Sequence, residues 1–230
     1  MSNRTSTVVV VVFLVLVLDQ ILKIWVKTHM SYGEEFGILG LSWARIHFVE
    51  NKGMAFGIAL GGAWGKLGLS VFRLIAVGFL IYIIRSLIKS KETIGVIFSF
   101  ALILAGALGN ILDSAFYGLI FSESPYHGGL ATMFPEGGGY APILFGKVVD
   151  MLYFPLIDTN FPDWFPFWGG QRFQFFRPVF NISDAAISTG VISLIVFHHR
   201  IFKSKEVETS HENQLSGIAE ESDRGEPTPQ

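Results

Sequence analysis

Aspartate and asparagine recur at one fixed spacing in two separate segments of this 230-residue sequence. Asn110 precedes Asp113 by three residues, and Asn181 precedes Asp184 by the same interval. A further aspartate, Asp150, ends a short β-like run. Two carboxyl groups that share a low-dielectric site cannot both ionise easily, so one holds a proton while the other acts as a general base on water. These residues therefore predict acid–base chemistry on a carbonyl, with the amide side chains orienting the reacting groups.

Other hydrolytic sites lack their sequence signatures. The sequence contains no cysteine, which excludes disulfides, cysteine nucleophiles, cysteine-bound zinc and cysteine lipid anchors. It has no His-Glu-x-x-His motif for a zinc peptidase and no Gly-x-Ser-x-Gly turn for a serine hydrolase. The net charge of -2 gives no basic field, so we expect no nucleic-acid partner. The carboxylates remain the leading candidates for chemistry.

An asparagine–aspartate pair near a helix terminus is commonly a cap, and each pair alone is weak evidence for catalysis. We place Asp184 several residues inside an apolar helix that is predicted to begin near Val179, deeper than a cap requires. Two such pairs and Asp150, all predicted at one membrane surface, favour a shared site over separate caps.

The elements that must position these residues are predicted membrane spans. Half of the residues are hydrophobic and only 16% are charged, a balance too apolar for an ordinary soluble domain. Crossing the hydrocarbon takes roughly 20 apolar residues. Four segments qualify, from about Val8 to Val26, Leu67 to Ile84, Ile94 to Leu112 and Val179 to Phe197. The first of these segments is longer than the apolar region of a signal peptide and carries charges, so we expect it to be retained as a helix and not cleaved.

Basic residues next to the span ends predict the orientation. Residues 85–91 hold three basic side chains between the second and third spans, and more follow the fourth span. Because basic residues close to spans favour the cytoplasm, both termini are predicted to lie there. The outer segments are then about 28–66 and 113–178, and the second is crowded with aromatic residues that suit the boundary with membrane lipids. Residues 205–230 are polar and predict a disordered cytoplasmic tail.

Polar residues inside the spans are costly, at about 2.5–3.5 kcal/mol for a charge at the bilayer centre, and are therefore candidates for function. Asp19 and Lys23 lie at i and i+4 on the first span, which predicts an ion pair that we interpret as structural. Gly109 follows Ala105 by four residues, a small-residue spacing that lets another helix approach closely. Arg73 in the second span is expected to extend outward along its stem, and no role is assigned to it.

Five motifs occur in order along the chain, and together they resemble the lipoprotein signal peptidase (signal peptidase II) family. The resemblance covers about residues 8–200. It implies a mainly α membrane protein with four transmembrane helices, a small periplasmic β-cradle and a short surface helix, in a peptidase domain at 1–204. The motifs are Asp19-Gln-x-x-Lys23, Glu50-Asn51-x-Gly53-x-Ala-Phe56, Gly106-x-x-Gly109-Asn110-x-x-Asp113, Val148-Val-Asp150 and Phe180-Asn181-x-x-Asp184-Ala.

The resemblance also implies an activity and a set of site residues. The protein would cleave bacterial prolipoproteins before the diacylglyceryl-modified cysteine, near the periplasmic face of the inner membrane. It would act as a monomer, without a metal or an organic cofactor. The matching positions make Asp150 and Asp184 the catalytic pair, with Asp19 and Lys23 as a structural polar pair. The supporting or substrate-binding residues would be Asn51, Gly53, Gly109, Asn110, Asp113 and Asn181.

Two features depart from the family pattern. The family usually has arginine after the aspartate at position 113, whereas this chain has Ser114. Lys147 and Arg177 are two candidates for a replacing cation. The segments 116–144 and 154–176 are long for the family, and they could either cover the site as a lid or decorate it.

Two other functions are consistent with carboxylates in a membrane. A proton-coupled transporter could use Asp19, Asp113 and Asp184 as a relay, and a non-catalytic scaffold could use them as structural pairs. The sequence has no internal repeat of the kind found in many transporters. The scaffold hypothesis leaves the order of the motifs unexplained. The aspartic peptidase hypothesis is therefore favoured.

Overall fold

Three long apolar helices and one shorter apolar helix form the helical part of the described chain. The computed structural model describes residues 3–51, 62–175 and 177–196. Three helices are long and apolar enough to cross a membrane, and a fourth is apolar but shorter within the described range. Three of the four predicted spans are thus confirmed, and the predicted end of the fourth at Phe197 lies outside the described residues. The helices are α1 (Asn3–His29), α2 (Gly62–Lys89), α3 (Ile94–Leu112) and α4 (Ile182–Val196).

The helices expose apolar side chains and bury polar ones. On α1, Phe13 and Ile21 are 62% and 63% exposed, whereas Asp19, Lys23 and Lys27 have no exposed surface. A bilayer favours this arrangement, because a lipid-facing charge is costly and a helix satisfies its own backbone hydrogen bonds. The charged residues of α1 therefore point into the protein, towards its neighbouring elements.

Helix α3 is the central element of the bundle. It packs against α1 and α2, and its small residues let α4 approach closely. A Cβ atom added at Gly106 would lie 2.1 Å from the backbone oxygen of Ser183, and one at Gly109 would lie 2.0 Å from the Ser183 Oγ. Both distances are shorter than real Cβ contacts, so the predicted close approach at Gly109 is confirmed, and α4 is the helix that it admits.

A small antiparallel sheet lies where α1 and α3 end, and a separate hairpin follows it. The β-like run that leads to Asp150 forms the start of a strand, so that prediction is confirmed. The short surface helix stays a prediction, since within the described outer segments the isolated helical stretch is one 3₁₀ turn, Ile38–Gly40. The sheet order is β1 (Glu35–Gly37), β2 (Arg45–Asn51), β3 (Val148–Tyr153) and β6 (Val179–Phe180), and the hairpin pairs β4 (Ile157–Asn160) with β5 (Arg172–Phe175).

Apolar packing fixes the sheet against the ends of α1 and α3. Val149 and Met151 of β3 have no exposed surface and belong to one core with Val26 of α1 and Phe121, just beyond α3. Side chains alternate across a strand, so burial of its two neighbours turns Asp150 towards the opposite face. The core thus determines which way this aspartate points.

The end of α3 is distorted in a way that positions β3. The helix continues through a π-helical turn, Asp113–Tyr117, and a last turn, Gly118–Ile120. A π turn inserts an extra residue into a helix and is frequent at functional sites. Gly146 packs on this turn, where a Cβ atom would lie 2.1 Å from the backbone oxygen of Asp113. This close contact brings the start of β3 beside the end of α3.

Candidate active site

Asp150 is a buried carboxyl group on β3. It is 4% exposed, and the Nδ2 of Asn181 donates a hydrogen bond of 2.7 Å to its Oδ1. Burial, followed by the negative charge of Asp184, raises the pKa of Asp150 to about 7. A carboxyl group in this state can hold a proton near neutral pH and donate it to a reacting oxygen.

Asp184 lies in the first turn of α4, and this corrects the prediction that it sits deeper than a cap requires. Val179–Phe180 forms strand β6, so the helix begins at Ile182 rather than near Val179. The backbone N–H of Asp184 donates to Asn181 Oδ1 at 2.9 Å, and the N–H of Asn181 donates to Asp184 Oδ2 at 3.4 Å. This reciprocal pattern is a capping box. The cap leaves the second oxygen of Asp184 for other partners.

Two asparagines connect the aspartates. Asn110 on α3 donates from Nδ2 to Asp184 Oδ1 at 2.8 Å. Asn181 donates to Asp150, and its Nδ2 also lies 3.1 Å from Asn110 Oδ1. The two amides therefore form a bridge from one carboxylate to the other, which we call the amide bridge. The structure brings together four of the residues that the sequence singled out, from three different elements.

A buried ion cluster lies beneath the amide bridge. The Lys23 ammonium is 2.8 Å from Asp19 and 2.8 Å from Asp113, and it donates to Asn110 Oδ1 at 3.2 Å. The predicted pair of Asp19 and Lys23 is therefore confirmed, and Asp113 is its third member. Asp113 also accepts the N–H of Val149 at 3.2 Å, which ties α3 to the strand that carries Asp150.

Two further contacts of this cluster were not foreseen. Gln20 donates to Asp113 Oδ1 at 2.9 Å. The N–H of Ser183 donates to Asp19 Oδ1 at 2.9 Å, so a residue of α1 caps the first turn of α4. Gln20 belongs to the first sequence motif, and its position next to Asp19 was the available signal. No sequence pattern pointed to Ser183.

The first outer segment reaches the site through the end of β2. Asn51 pairs with Val148 in the register of β2 and β3, two residues before Asp150. Gly53 lies outside the described residues, so its role stays a prediction. Glu50, which pairs with Val149, and Asn51 are therefore the described members of this motif that lie beside the strand of Asp150.

Glu50 anchors the outer segments to α1. Its carboxylate contacts the ammonium of Lys27, lies 3.1 Å from that of Lys147, and accepts a hydrogen bond of 3.0 Å from Ser124. Burial opposes the charge of Glu50, but the two lysines outweigh it and lower the pKa of Glu50. Lys147 also pairs with Glu123 at 3.0 Å. Two glutamates therefore engage Lys147, which was one of the two candidates for the missing family cation.

Arg73 has an inward partner, and the expectation that it extends outward is wrong. Its Nη1 donates to the Oγ of Ser114 at 3.2 Å, and Ser114 is buried. The second candidate cation, Arg177, lines a cavity on the sheet together with Arg45 and Arg172. The arginine that contacts position 114 therefore comes from α2.

The two long outer insertions differ in how they are attached. In the segment 116–144, Tyr117 and Phe121 lie in the core beneath the sheet, and the Tyr140 hydroxyl accepts the N–H of Lys147 at 2.6 Å. In the segment 154–176, Trp164 and Phe167 are 79% and 93% exposed. The first insertion is an integral part of the fold, whereas the second presents aromatic rings at the surface.

A metal centre has no support from the geometry of the described chain. Within residues 3–51, 62–175 and 177–196, no group of three or more histidine or acidic residues is arranged to hold a metal ion. The chemistry that the site offers is that of two carboxyl groups with amide and backbone donors. Such a site can activate water and protonate a carbonyl oxygen.

Comparisons with known proteins establish the family. The model of the signal peptidase (SPase) II family matches residues 11–200 of the chain. The chain belongs to the signal peptidase II family. It is 52% identical to the lipoprotein signal peptidase of Porphyromonas gingivalis over 196 residues, which cover 85% of this chain and 84% of the relative. It is 37% identical to the lipoprotein signal peptidase of Amoebophilus asiaticus over 193 residues, which cover 83% of this chain and 76% of the relative.

Two solved structures of bacterial membrane enzymes share the fold of this signal peptidase II. One was determined by the in meso method at 2.3 Å resolution; it has a TM-score of 0.55 and 22% identity, with 87% of this chain and 92% of that chain covered. The other, at 1.9 Å resolution, has a TM-score of 0.52 and 25% identity, with 83% and 91% covered. The likeness supports a shared architecture of membrane helices and a small sheet.

Membership of the signal peptidase II family confirms the predicted activity class. The chain is a bacterial membrane peptidase that processes lipoproteins, and prolipoproteins are its substrates. The transporter and scaffold alternatives are thereby set aside.

Proposed function

We propose that Asp150 and Asp184 are the catalytic pair with which this signal peptidase II cleaves a prolipoprotein before its diacylglyceryl-modified cysteine. The observation that carries the proposal is the amide bridge, in which Asn181 donates to Asp150 and Asn110 donates to Asp184. Amides that bond to both carboxylates hold a strand residue and a helix residue in one cluster. That arrangement suits a pair sharing one proton better than it suits two unrelated caps.

The raised pKa of Asp150 supports one division of roles within the pair. Near pH 7 Asp150 holds the shared proton and Asp184 is the base. As water adds to the scissile carbonyl carbon, its proton passes to Asp184, and Asp150 protonates the carbonyl oxygen. The resulting diol breaks its bond to nitrogen, which takes the proton from Asp184 and leaves as the amine of the modified cysteine. A diol hydroxyl returns its proton to Asp150, which restores the starting state.

The remaining site residues support this pair. Asn110 and Asn181 orient the two carboxylates, and the cluster of Asp19, Lys23 and Asp113 fixes the elements beneath them. Gly109 keeps α4 close to α3. Asn51 and Gly53 are proposed to meet the substrate from the first outer segment.

The site is proposed to open at the periplasmic face of the inner membrane, with four spans and both termini in the cytoplasm. Support comes from the basic residues at 85–91, which lie at the end of α2 and at the start of its connection to α3. The exposed aromatic rings of the β4–β5 hairpin suit the lipid boundary at the outer surface. A reporter fused after Arg200 is expected to be cytoplasmic, and a periplasmic signal would contradict this topology.

The domain limits belong to the same proposal. Residues 1–204 form the peptidase domain, and 205–230 form a polar tail that the reaction does not need. The protein acts as a monomer surrounded by membrane lipids. Truncation after Ser204 is expected to leave the cleavage rate and the monomer mass in detergent unchanged, and loss of cleavage would contradict these limits.

A cleavage assay with defined substrates tests the proposal. Purified protein in detergent is offered the same prolipoprotein with and without the diacylglyceryl group, and the products are identified by mass spectrometry. The modified substrate should be cut before its cysteine, and Asp150→Asn or Asp184→Asn should abolish the cut. Asp163→Asn, an exposed carboxylate in the outer hairpin, is the matched control and should keep the wild-type rate. Wild-type cleavage in either site variant would refute the pair.

A further inference from the structure

Helix α2 carries an arginine where a membrane makes charge costly. Arg73 lies eleven residues after Gly62 at the start of α2, about 16 Å along the axis at about 1.5 Å per residue. A guanidinium stays protonated at any physiological pH, so it enters the membrane as a cation. An arginine in a span that faces the protein interior is usually paired and marks a functional pathway or site.

The partner of Arg73 lies one step from the amide bridge. The Nη1 of Arg73 donates to Ser114 Oγ at 3.2 Å, and Ser114 is only 3% exposed. Ser114 Oγ donates in turn to the backbone oxygen of Asn110 at 2.9 Å. Asn110 is the amide that donates to Asp184. The arginine is thus connected through one serine to the residue that orients the predicted base.

The four aspartates of the site, which we call the aspartate cluster, have too few positive charges to balance them. One ammonium serves these four carboxyl groups, and its three N–H donors are all engaged, by two of the carboxylates and an asparagine. With one proton shared by the catalytic pair, two negative charges remain uncompensated. The four carboxyl groups belong to Asp19 of α1, Asp113 at the end of α3, Asp150 of β3 and Asp184 of α4, and the ammonium is that of Lys23 on α1.

Arg73 is the cation that the described part of the chain offers for this excess. Burial disfavours the charge of Arg73, and attraction to Asp184 first, and then to Asp113 and Asp150, offsets part of that cost. Lys147 is held by two glutamates, and Arg177 lines a cavity on the sheet. The charge of Arg73 therefore faces the aspartates from α2, the side on which the cluster has no carboxylate.

We propose that Arg73 is the positioning cation of the aspartate pair, and that Ser114 is the small acceptor that seats it. The inference rests on the proposed function of Asp150 and Asp184. The cation favours the singly ionised pair over the doubly protonated pair, and so keeps the base available at lower pH. The resemblance implies that the family usually has an arginine at position 114; in this chain the neighbouring helix supplies the cation, and serine leaves room for the long side chain.

Two substitutions at one position separate charge from packing. Arg73→Gln keeps an N–H donor for Ser114 but removes the charge, whereas Arg73→Lys keeps the charge but loses the planar fork. The assay is kcat/KM between pH 4 and 9 for the full chain in neutral detergent with the modified prolipoprotein. Arg73→Gln should move the acidic limb of the plot of kcat/KM against pH up by about one pH unit. At a given pH on that limb, kcat/KM should then fall about tenfold. Arg73→Lys should leave the limb within about 0.3 unit.

A matched control lies on the same helix. Arg85 is exposed near the other end of α2, and Arg85→Gln should leave both the rate and the limb unchanged. An unmoved limb in Arg73→Gln, or equal shifts in the Gln and Lys variants, would overturn the proposal, because a packing role does not depend on charge. If Arg73→Gln does not fold, the proposal is tested with Arg73→Lys alone. A shift of the acidic limb by about one pH unit in that variant overturns the proposal.

Moving the cation gives an independent check. In the double variant Arg73→Gln with Ser114→Arg, the charge returns from α3, and the acidic limb should recover to within about half a unit. A folded double variant with the limb still shifted would contradict the proposal. Full cleavage by Asp150→Asn or Asp184→Asn would instead remove the proposed function, so the two failures are distinguishable.

Discussion

Replacing Asp150 by asparagine should remove activity, and its effect on stability relative to wild type should become more favourable as the pH rises. Burial and the charge of Asp184 raise the pKa of Asp150 from 3.8 to about 7 in the folded protein. The folded state therefore binds more protons than the unfolded state between these values, and the stability of the wild type falls as pH rises through that window. Above about pH 7 the loss is complete. Asparagine cannot ionise, so the variant does not carry this penalty.

The magnitude follows from the two pKa values. At pH 5 the penalty that Asp150 imposes on folding is roughly 1.5 kcal/mol, and at pH 8 it is roughly 4 kcal/mol. The new amide has N–H donors that need acceptors, and an unsatisfied one costs about 1–3 kcal/mol at every pH. This cost is the same at both pH values, so it cancels when the stability of the variant relative to wild type is compared between pH 5 and pH 8. The stability of Asp150→Asn relative to wild type should therefore rise by about 2.5 kcal/mol from pH 5 to pH 8, which is about 5–10 °C in the unfolding midpoint.

Thermal unfolding in detergent, followed by tryptophan fluorescence at pH 5, 6.5 and 8, measures this gain. Asp163→Asn is the control, because its carboxylate is exposed and lies between β4 and β5. A difference in midpoint between Asp150→Asn and wild type that stays constant across the three pH values would contradict a raised pKa of Asp150 in the folded protein. It would mean that the buried carboxyl group holds no extra proton in the folded state.

Three other changes test the packing and the ion clusters. Gly106→Ala places a Cβ atom 2.1 Å from a backbone oxygen of α4, and it should lower stability by about 1–3 kcal/mol. Gly78→Ala, where nothing lies within 4 Å, should be neutral or gain up to about 1 kcal/mol; equal effects in thermal unfolding would contradict the packing. Lys23→Met leaves two buried aspartates unpaired and should cost about 3–5 kcal/mol, and wild-type stability would count against the cluster. Glu50→Gln should speed limited proteolysis within 122–142, and an unchanged rate would show that the glutamate does not anchor this segment.

The sequence contained enough information for most of the membrane part and for the identity of the polar residues. Long apolar runs predict helices reliably, because the bilayer leaves few other ways to satisfy the backbone. The ion pair of Asp19 and Lys23 followed from helical spacing alone. Its extension to Asp113 did not, since that contact depends on how α1 packs against α3.

The start of α4 shows where sequence patterns are insufficient. The apolar run from Val179 onwards continues without a break into the helix, so hydropathy placed the helix start three residues early. Val179 and Phe180 instead pair with β3 through residues far away in the chain, and such a long-range contact leaves no local signal. The same error made Asp184 look too deep for a cap.

Arg73 shows a second limit. A lone arginine in an apolar run has two outcomes, extension to the surface or a buried partner, and the sequence favours neither. Its partner, Ser114, was recognised only as a missing arginine. The contact between α2 and the end of α3 decides the outcome, and it is a property of the folded chain.

The most direct test of the central claim is the single-turnover rate of cleavage of a diacylglyceryl-modified prolipoprotein with enzyme in excess. Asp150→Asn and Asp184→Asn are compared with wild type and Asp163→Asn, each at equal amounts of folded protein. Each site variant should lose at least about a thousandfold in rate, as expected when an acid or base of the reaction is removed, while the control stays at the wild-type rate. A folded Asp150→Asn or Asp184→Asn that cleaves within about tenfold of wild type would contradict it.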